Sequence, residues 1–373
     1  MKILHCVEFY YPHIGGAEKH VQILSEYFSN LGNETHVVTS KIYNRKNKIL
    51  NNVKIIEFDI KGNAVRGYNG DTKSYQNFLI NSNYDLIVFY AAQQWTFDLA
   101  LEIIEKIKPK KIFIPCGFSK FNNLLYKPYY SRLKLKINNF QNVICFGKSL
   151  RDYNFLKENF NKKIDIIYNG SFKIEKKKEN FRKKYQKKIN NLVLINIANF
   201  KFNKGQDRVL KIVEKLKFKN FSLFFIGNNI KKNFYYYLLK IKIYFILKKN
   251  ISSEIRILNN INTKDTLSAY IECDYFIHGS RIECSPLVMF ETFAAGKIYL
   301  GTDVGNVKEI LKKKGLGYCS NVLNNITNKL DYYISKNLHH NKISKKKIKI
   351  FHSKNFDWNI LLKKYKKIYL EKD

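Results

Sequence analysis

The sequence predicts an α/β protein built from two Rossmann-like, doubly wound parallel-sheet units, and three observations carry that expectation. The chain has 373 residues, too many for one ordinary core and enough for two. Short apolar runs alternate with helix-period segments through both halves, as parallel strands joined by crossover helices require. The alternation breaks once, over NGSFKIEKKKENFRKKYQKKIN (169–190), which is basic and lacks apolar periodicity until NLVLINIA begins. The expected organisation is an N-terminal domain over 1–168, a basic linker over 169–190, a C-terminal domain over 191–352, and a helix within 353–373 that crosses back to the N-terminal domain.

In the first half the apolar runs predict strands at 3–8, 35–39, 53–58, 85–90, 111–115 and 142–146, with helices at 17–31 and 96–107. The first helix is the clearest, because Ala17, Val21, Leu24, Phe28 and Leu31 share a face and Gly32 supplies a stop. The second half predicts strands at 192–198, 221–226, 254–258, 274–278 and 298–302, and helices at 205–216, 234–247, 263–272 and 286–295. In the tail, Trp358, Leu361, Leu362, Tyr365 and Ile368 form a helical stripe with lysines opposite, so this helix is expected to dock.

Hydrophobic residues at 45% and aromatics at 15% exclude a disordered chain. The 67 Lys+Arg against 30 Asp+Glu give a net charge of +37, which attracts nucleic acid, anionic lipid or phosphorylated substrates. The excess of Lys, Asn, Ile, Phe and Tyr reads as AT-rich codon usage, so retained glycines and prolines are the more informative residues. A nucleic-acid-binding protein would show base-stacking aromatics within a known module, and none is visible. The six cysteines form no C-x-x-C pair and have no histidine at metal spacing, which predicts a reduced, cytoplasmic protein without a metal. MKILHCVEFYYPHIGG is interrupted by Glu8 and Pro12 and does not read as a signal peptide; the apolar stretch 235–247 contains Lys240 and Lys242 and does not read as a membrane span.

The chemistry concentrates in RIECSPLVMFETFAAGK (281–297). A strand ends near His278, a loop carries Glu283, and a helix starts after Ser285 with Pro286 at its first position. The free amides of Leu287 and Val288 would then point from the positive end of a helix, where phosphate binds. Glu291 lies ~6 Å further along the axis, suited to the ribose of a nucleotide whose diphosphate sits at the helix end. Glu283, on the loop, lies where the sugar of a nucleotide-sugar would be. Either acid alone reads as a loop charge or a solvated helix residue; the combination with Ala294, Ala295 and Gly296 reads as a ligand site.

ECSPLVMFETFAAG followed by TDVGN resembles the donor-site signature of the retaining family 4 glycosyltransferases of the GT-B fold. GGAEKHVQILSEYFSNLGNETHVVTS resembles that family's N-terminal glycine loop and first helix, YNGS its entry to the C-terminal domain, and KGQD its phosphate-binding lysine turn. The resemblance implies two domains facing a cleft, with Gly15 and Gly16 approaching the donor and Lys204 and Glu283 as the catalytic pair. Asn199, Ser285, Pro286, Leu287, Val288 and Glu291 complete the implied donor site, and Asn306 lies near the sugar or phosphate. Two departures stand out: Ala198-Asn199 replaces a Gly-Arg pair, leaving Lys204 alone on the diphosphate, and Cys116 stands where the family often has histidine. Gly117 and Ser119, with His13, would then line the acceptor or sugar region, while His278 by default reads as a structural histidine.

The family likeness further implies a retaining hexosyltransferase that uses a UDP- or GDP-linked sugar, needs no metal or other cofactor, and glycosylates a lipid-linked acceptor of a bacterial surface glycan. A non-hydrolysing sugar-nucleotide epimerase of the same fold is the alternative. Family members that act on lipid-linked acceptors also suggest peripheral attachment to the inner face of the cytoplasmic membrane. The matching segment is 120–140, where Leu124, Leu125, Tyr126, Tyr129, Tyr130, Leu133 and Leu135 interleave with Lys127, Arg132, Lys134 and Lys136. A helix covering the sheet with a basic solvent face would give the same pattern.

Overall fold

The computed structural model describes residues 1–371 except Ile14, Asn44, 176–179 and 313–314. It divides into two compact units, Met1–Asn169 with Leu361–Asp373, and Gly170–Ile360.

The first unit is built on a sheet with strand order Ile164–Ile166, Asn142–Cys145, Lys110–Ile114, Leu86–Tyr90, Lys2–Cys6, Glu34–Ser40, Val53–Phe58 and Ile49–Leu50. All neighbours are parallel except the last pair. The central strands read as nearly unbroken apolar runs because helices cover both faces. One of these, Gly16–Asn30, buries Val21, Leu24 and Phe28 as its spacing predicts. The helix Trp358–Leu370 supplies its last ten residues to this unit, where Tyr369 bonds Tyr90 through their hydroxyls at 3.2 Å. Tyr365 meets the edge of His20 with ring centroids 5.5 Å apart.

The helix Lys127–Lys136 divides the 120–140 segment between the core and the surface. Tyr126, Tyr129, Tyr130 and Leu133, at helical spacing, form its buried face. The Tyr129 hydroxyl donates to Asp98 at 2.9 Å and that of Tyr130 to the Ser119 carbonyl at 2.7 Å. Two of the four cations also turn to the protein: Lys136 bonds the Glu102 carbonyl at 2.9 Å and Arg132 stands 3.8 Å from the Glu102 carboxylate. Leu124, Leu125 and Leu135 stay exposed, but the aromatics that would anchor a membrane contact belong to the core.

The second unit holds a fully parallel sheet in the order Glu254–Asn259, Phe221–Gly227, Leu192–Ile197, Tyr275–His278, Tyr299–Gly301 and Gly317–Cys319. The described part of the expected linker is packed against this unit rather than free. Phe181 is buried, and Arg182 fastens the short helix Phe181–Tyr185 through bonds to Asp274 at 2.7 Å and the Glu272 carbonyl at 3.0 Å. Lys184 pairs with Asp265 at 2.5 Å. Basic residues that look like a solvated run in sequence thus meet acids brought close by folding; residues 176–179 of that run lie outside the described residues.

Candidate functional site

In the second unit the strand order reverses between Leu192–Ile197 and Tyr275–His278, which are hydrogen-bonded neighbours. Ligands of open α/β sheets bind outside the carboxyl ends of strands at such a switch point. The loops leaving these two strands hold Lys204 and Glu283, and polar contacts tie them together. The Ser280 hydroxyl and the Arg281 amide both donate to the Asn203 carbonyl, at 2.9 and 2.8 Å. The Arg281 guanidinium forks onto Asp207 at 2.8 and 2.7 Å and lies 3.8 Å above the Phe202 ring. Arg281 therefore fastens the lysine turn. Gly205, at φ 64°, closes that turn in the left-handed region.

Lys204 Nζ lies 2.7 Å from Glu283 Oε1. On the same oxygen, at 3.6 Å, stands His278 Nε2, and His278 Nδ1 is 2.7 Å from the Tyr299 hydroxyl. A Tyr299 hydroxyl donating to Nδ1 would leave the ring proton on Nε2, facing the carboxylate. Burial pushes the Glu283 carboxyl up, but His278 and the Lys204 ammonium together outweigh it and hold the group at about 2. Glu283 is thus a fixed carboxylate joined to the expected catalytic lysine. His278, read from sequence as structural, is part of this cluster; its position at the end of DYFIH, on the strand that feeds the Glu283 loop, was the available signal.

Helix Leu287–Ala294 begins one residue later than expected, with Pro286 flanking it at φ −68° and ψ 117°. Ser285 is consequently one position too early to cap it, and Pro286 provides no side-chain cap. The Ser285 hydroxyl instead accepts from the Asn306 side-chain amide at 2.9 Å. The Asn306 backbone amide donates to the Cys284 carbonyl at 3.0 Å, and a Cβ on Gly305 would come within 2.0 Å of that carbonyl oxygen. The 303–306 loop is therefore a brace beneath the acid-serine-proline segment. The Pro286 carbonyl takes the Met289 amide at 3.1 Å, and the amides of Leu287 and Val288 remain those of the opening turn. Three residues past Val288, Glu291 Oε2 accepts the buried Tyr270 hydroxyl at 2.6 Å, which fixes the carboxylate orientation. Asn199 lies on the same loop as Lys204, its carbonyl bonded by the Gln206 side chain at 3.0 Å.

The remaining expected residues gather at the carboxyl edge of the first unit's sheet. His13 and the Gly15-Gly16 pair follow strand Lys2–Cys6; Cys116, Gly117 and Ser119 follow Lys110–Ile114. Gly15, at φ −157°, is extended, and an added Cβ there would come within 2.2 Å of the Glu18 carboxylate, whereas one at Gly16 would meet nothing within 4 Å. Cys116 adopts φ 55°, unusual for a side-chain-bearing residue. Burial pushes its thiol up to about 12. The Gly117 amide donates to Asp152 at 2.9 Å, and Ser119 bonds Gln93. The His13 imidazole is exposed and lies 5.0 Å from the Phe9 ring. Among the described residues, no group of three or more His, Cys, Asp or Glu side chains is placed to hold a metal.

Two doubly wound units, the second presenting a cation, a fixed carboxylate and a helix start at its switch point, define a protein of the GT-B fold. Residues 177–350 match the family described as glycosyl transferases group 1. It is 19% identical to the phosphatidylinositol N-acetylglucosaminyltransferase GPI3 subunit of Saccharomyces cerevisiae, over 97% of this chain and 81% of that protein. Among solved structures it resembles Anabaena Alr3699/HepE in complex with UDP-glucose, with a TM-score of 0.75, 16% identity and 99% of both chains covered. It also resembles WaaG, a glycosyltransferase involved in lipopolysaccharide biosynthesis, with a TM-score of 0.72, 14% identity, and 99% of this chain and 100% of that one covered.

Proposed function

We propose that the protein transfers a hexose-type sugar, with retention, from a UDP- or GDP-linked donor to a lipid-linked glycan acceptor during synthesis of a bacterial surface polysaccharide or lipopolysaccharide. The observation that carries this reading is the Lys204–Glu283 pair, 2.7 Å apart at the switch point of the second unit and followed by the helix start at Leu287. Phosphatidylinositol in the name of one relative, UDP-glucose in one solved structure and lipopolysaccharide biosynthesis in another support the donor and acceptor classes.

In this reading the donor diphosphate lies against the amides of Leu287 and Val288, its ribose hydroxyls reach Glu291, and Lys204 turns from Glu283 to the phosphate. As the anomeric C–O bond to phosphate breaks, the leaving oxygen gains charge, which the ammonium and the helix end stabilise. The acceptor hydroxyl attacks from the same face; its oxygen bonds to the anomeric carbon and its proton passes to the departing phosphate oxygen. Glu283, kept ionised, accepts hydrogen bonds from the sugar hydroxyls. Lysine and helix end supply the positive charge this step needs without a metal. The acceptor binds the first unit, near His13, Gly117 and Ser119, with the enzyme on the inner face of the cytoplasmic membrane.

The test is incubation with a panel of nucleotide-sugars, with and without a lipid acceptor extract. Transfer of sugar only when both are present supports the proposal. A new nucleotide-sugar formed without acceptor would instead establish the epimerase reading.

A further inference from the structure

We infer that helix Phe234–Lys249 of the second unit lies flat in the headgroup region of an anionic lipid bilayer. One face of this helix is ordinary: Leu239, Ile243 and Ile246 are buried against the unit's core. The opposite face is apolar as well, and it is exposed. Phe234, Tyr237, Leu238, Ile241, Tyr244 and Phe245 all face solvent, Phe234 at 78% and Tyr244 at 61% of their possible surface. At 100° per residue, these six positions cover an arc of about 120° from Phe234 to Phe245, and Lys248 closes that arc at the end of the helix. Isolated exposed apolar residues need no explanation, but a continuous aromatic stripe does.

The charge around the stripe specifies what covers it. Lys240 and Lys242 project about 40° beyond its two edges, on opposite sides. Lys231 and Lys232 precede the helix and Lys248 and Lys249 end it, while 215–253 contains no Asp or Glu. Lysines rimming an aromatic face can keep their ammonium groups at the phosphates while the rings enter the acyl boundary. A second copy of the chain fits poorly, because stripe-to-stripe pairing would bring two lysine rims together. The helix lies in the surface and does not cross it: among the described residues no helix is long and apolar enough to span a membrane. The inference does not depend on the proposed acceptor. It assigns membrane contact to a helix of the second unit, in place of the segment 120–140.

The experiment is co-sedimentation of the full-length protein with neutral phosphatidylcholine vesicles and with vesicles containing roughly one-third phosphatidylglycerol, at low and high salt. Wild type is expected to bind the anionic vesicles and to be released by salt. Replacing Lys240, Lys242, Lys248 and Lys249 with glutamine should lower partitioning several-hundred-fold, since each lysine near an anionic surface is worth roughly fivefold. The variant Phe234→Ser/Tyr237→Ser/Ile241→Ser/Phe245→Ser changes only exposed positions. It should lose vesicle binding while keeping the wild-type melting temperature and UDP affinity. Wild type that does not bind, or both variants sedimenting like wild type, overturns the inference. So does a wild-type dimer that the serine variant converts to monomer, for the stripe then belongs to a second copy. Vesicle binding without nucleotide binding would leave this inference standing and sink the proposed enzymatic reading.

Discussion

Gly205 and Gly279 approach so closely that a Cβ on Gly205 would lie 2.0 Å from the Gly279 carbonyl oxygen, and one on Gly279 would lie 2.3 Å from that of Gly205. Neither residue is an expected ligand contact. Their approach lets the lysine turn rest on the end of the neighbouring strand, and so brings Lys204 to Glu283. Gly279→Ala should destabilise the second unit by about 1–3 kcal/mol through overpacking and weaken UDP binding in parallel. Thermal melting and calorimetry check this, and a variant with unchanged affinity would separate the glycine contact from the site.

Glu291→Ala is expected to weaken nucleoside diphosphate binding by about 1.5–3 kcal/mol, the scale of hydrogen bonds to a charged group. Tyr270→Phe removes the hydroxyl that orients this carboxylate while leaving the carboxylate itself, so a smaller loss should follow. Equal losses would mean that orientation, not the ribose contact, dominates; unchanged calorimetry for Glu291→Ala would remove the ribose assignment.

Lys204→Ala should depress turnover far more than it depresses folding, because the carboxylate it leaves behind still faces His278 at 3.6 Å. Glu283→Ala should lower turnover more than UDP affinity, since its proposed partner is the sugar. Steady-state kinetics set beside calorimetry distinguish the two roles, and an active Lys204→Ala enzyme would mean another cation holds the phosphates.

Carboxyl groups in the two units give opposite pH dependences. Glu283 has a folded-state value of about 2, below its usual 4.5, so its stabilisation is present above the usual value and is lost as pH falls through about 2. Asp98 and Asp152 are raised by burial from 3.8 to about 6; their contribution is present below 3.8 and is lost as pH rises through about 6. Asp98→Asn should therefore flatten the loss of first-unit stability on the rising side, and Glu283→Gln the loss of second-unit stability in acid. Melting temperatures measured across this range check both slopes.

Tyr369 stacks on Phe28 with ring centroids 4.4 Å apart and planes within 6°. Tyr369→Ala should cost the first unit about 3–5 kcal/mol, the range for emptying a buried aromatic site. Chemical denaturation showing no loss in that unit would mean the tail helix contributes nothing to it.

Many of the strands and helices were legible because periodicity is local, although the long helices Leu323–Ser335 and Lys342–Asn355 carried no expectation. Glu34–Ser40, Val53–Phe58 and Thr263–Glu272 lie within a residue of the runs that predict them. Helix Thr72–Ile80 was not legible: its sequence TKSYQNFLI buries only Tyr75 and Leu79, and its start depends on Asp71 accepting the Ser74 amide at 3.0 Å. Strand Gly317–Cys319 is too short for any alternation to register.

By itself the sequence determined the alternating elements, the glycine-lysine turn and the acid-serine-proline helix start, because each is set by residues within a few positions of one another. Only tertiary structure decided that Lys204 meets Glu283, that His278 joins them, and that Arg281 is taken up by Asp207, since strand order chooses which loops become neighbours. It also decided between two similar mixtures of aromatics and lysines. In Lys127–Lys136 a tyrosine face is consumed by the core, whereas Phe234–Lys249 satisfies the core with one face and leaves a second apolar face outside. Composition cannot tell these apart, because burial depends on what the rest of the chain places against each face.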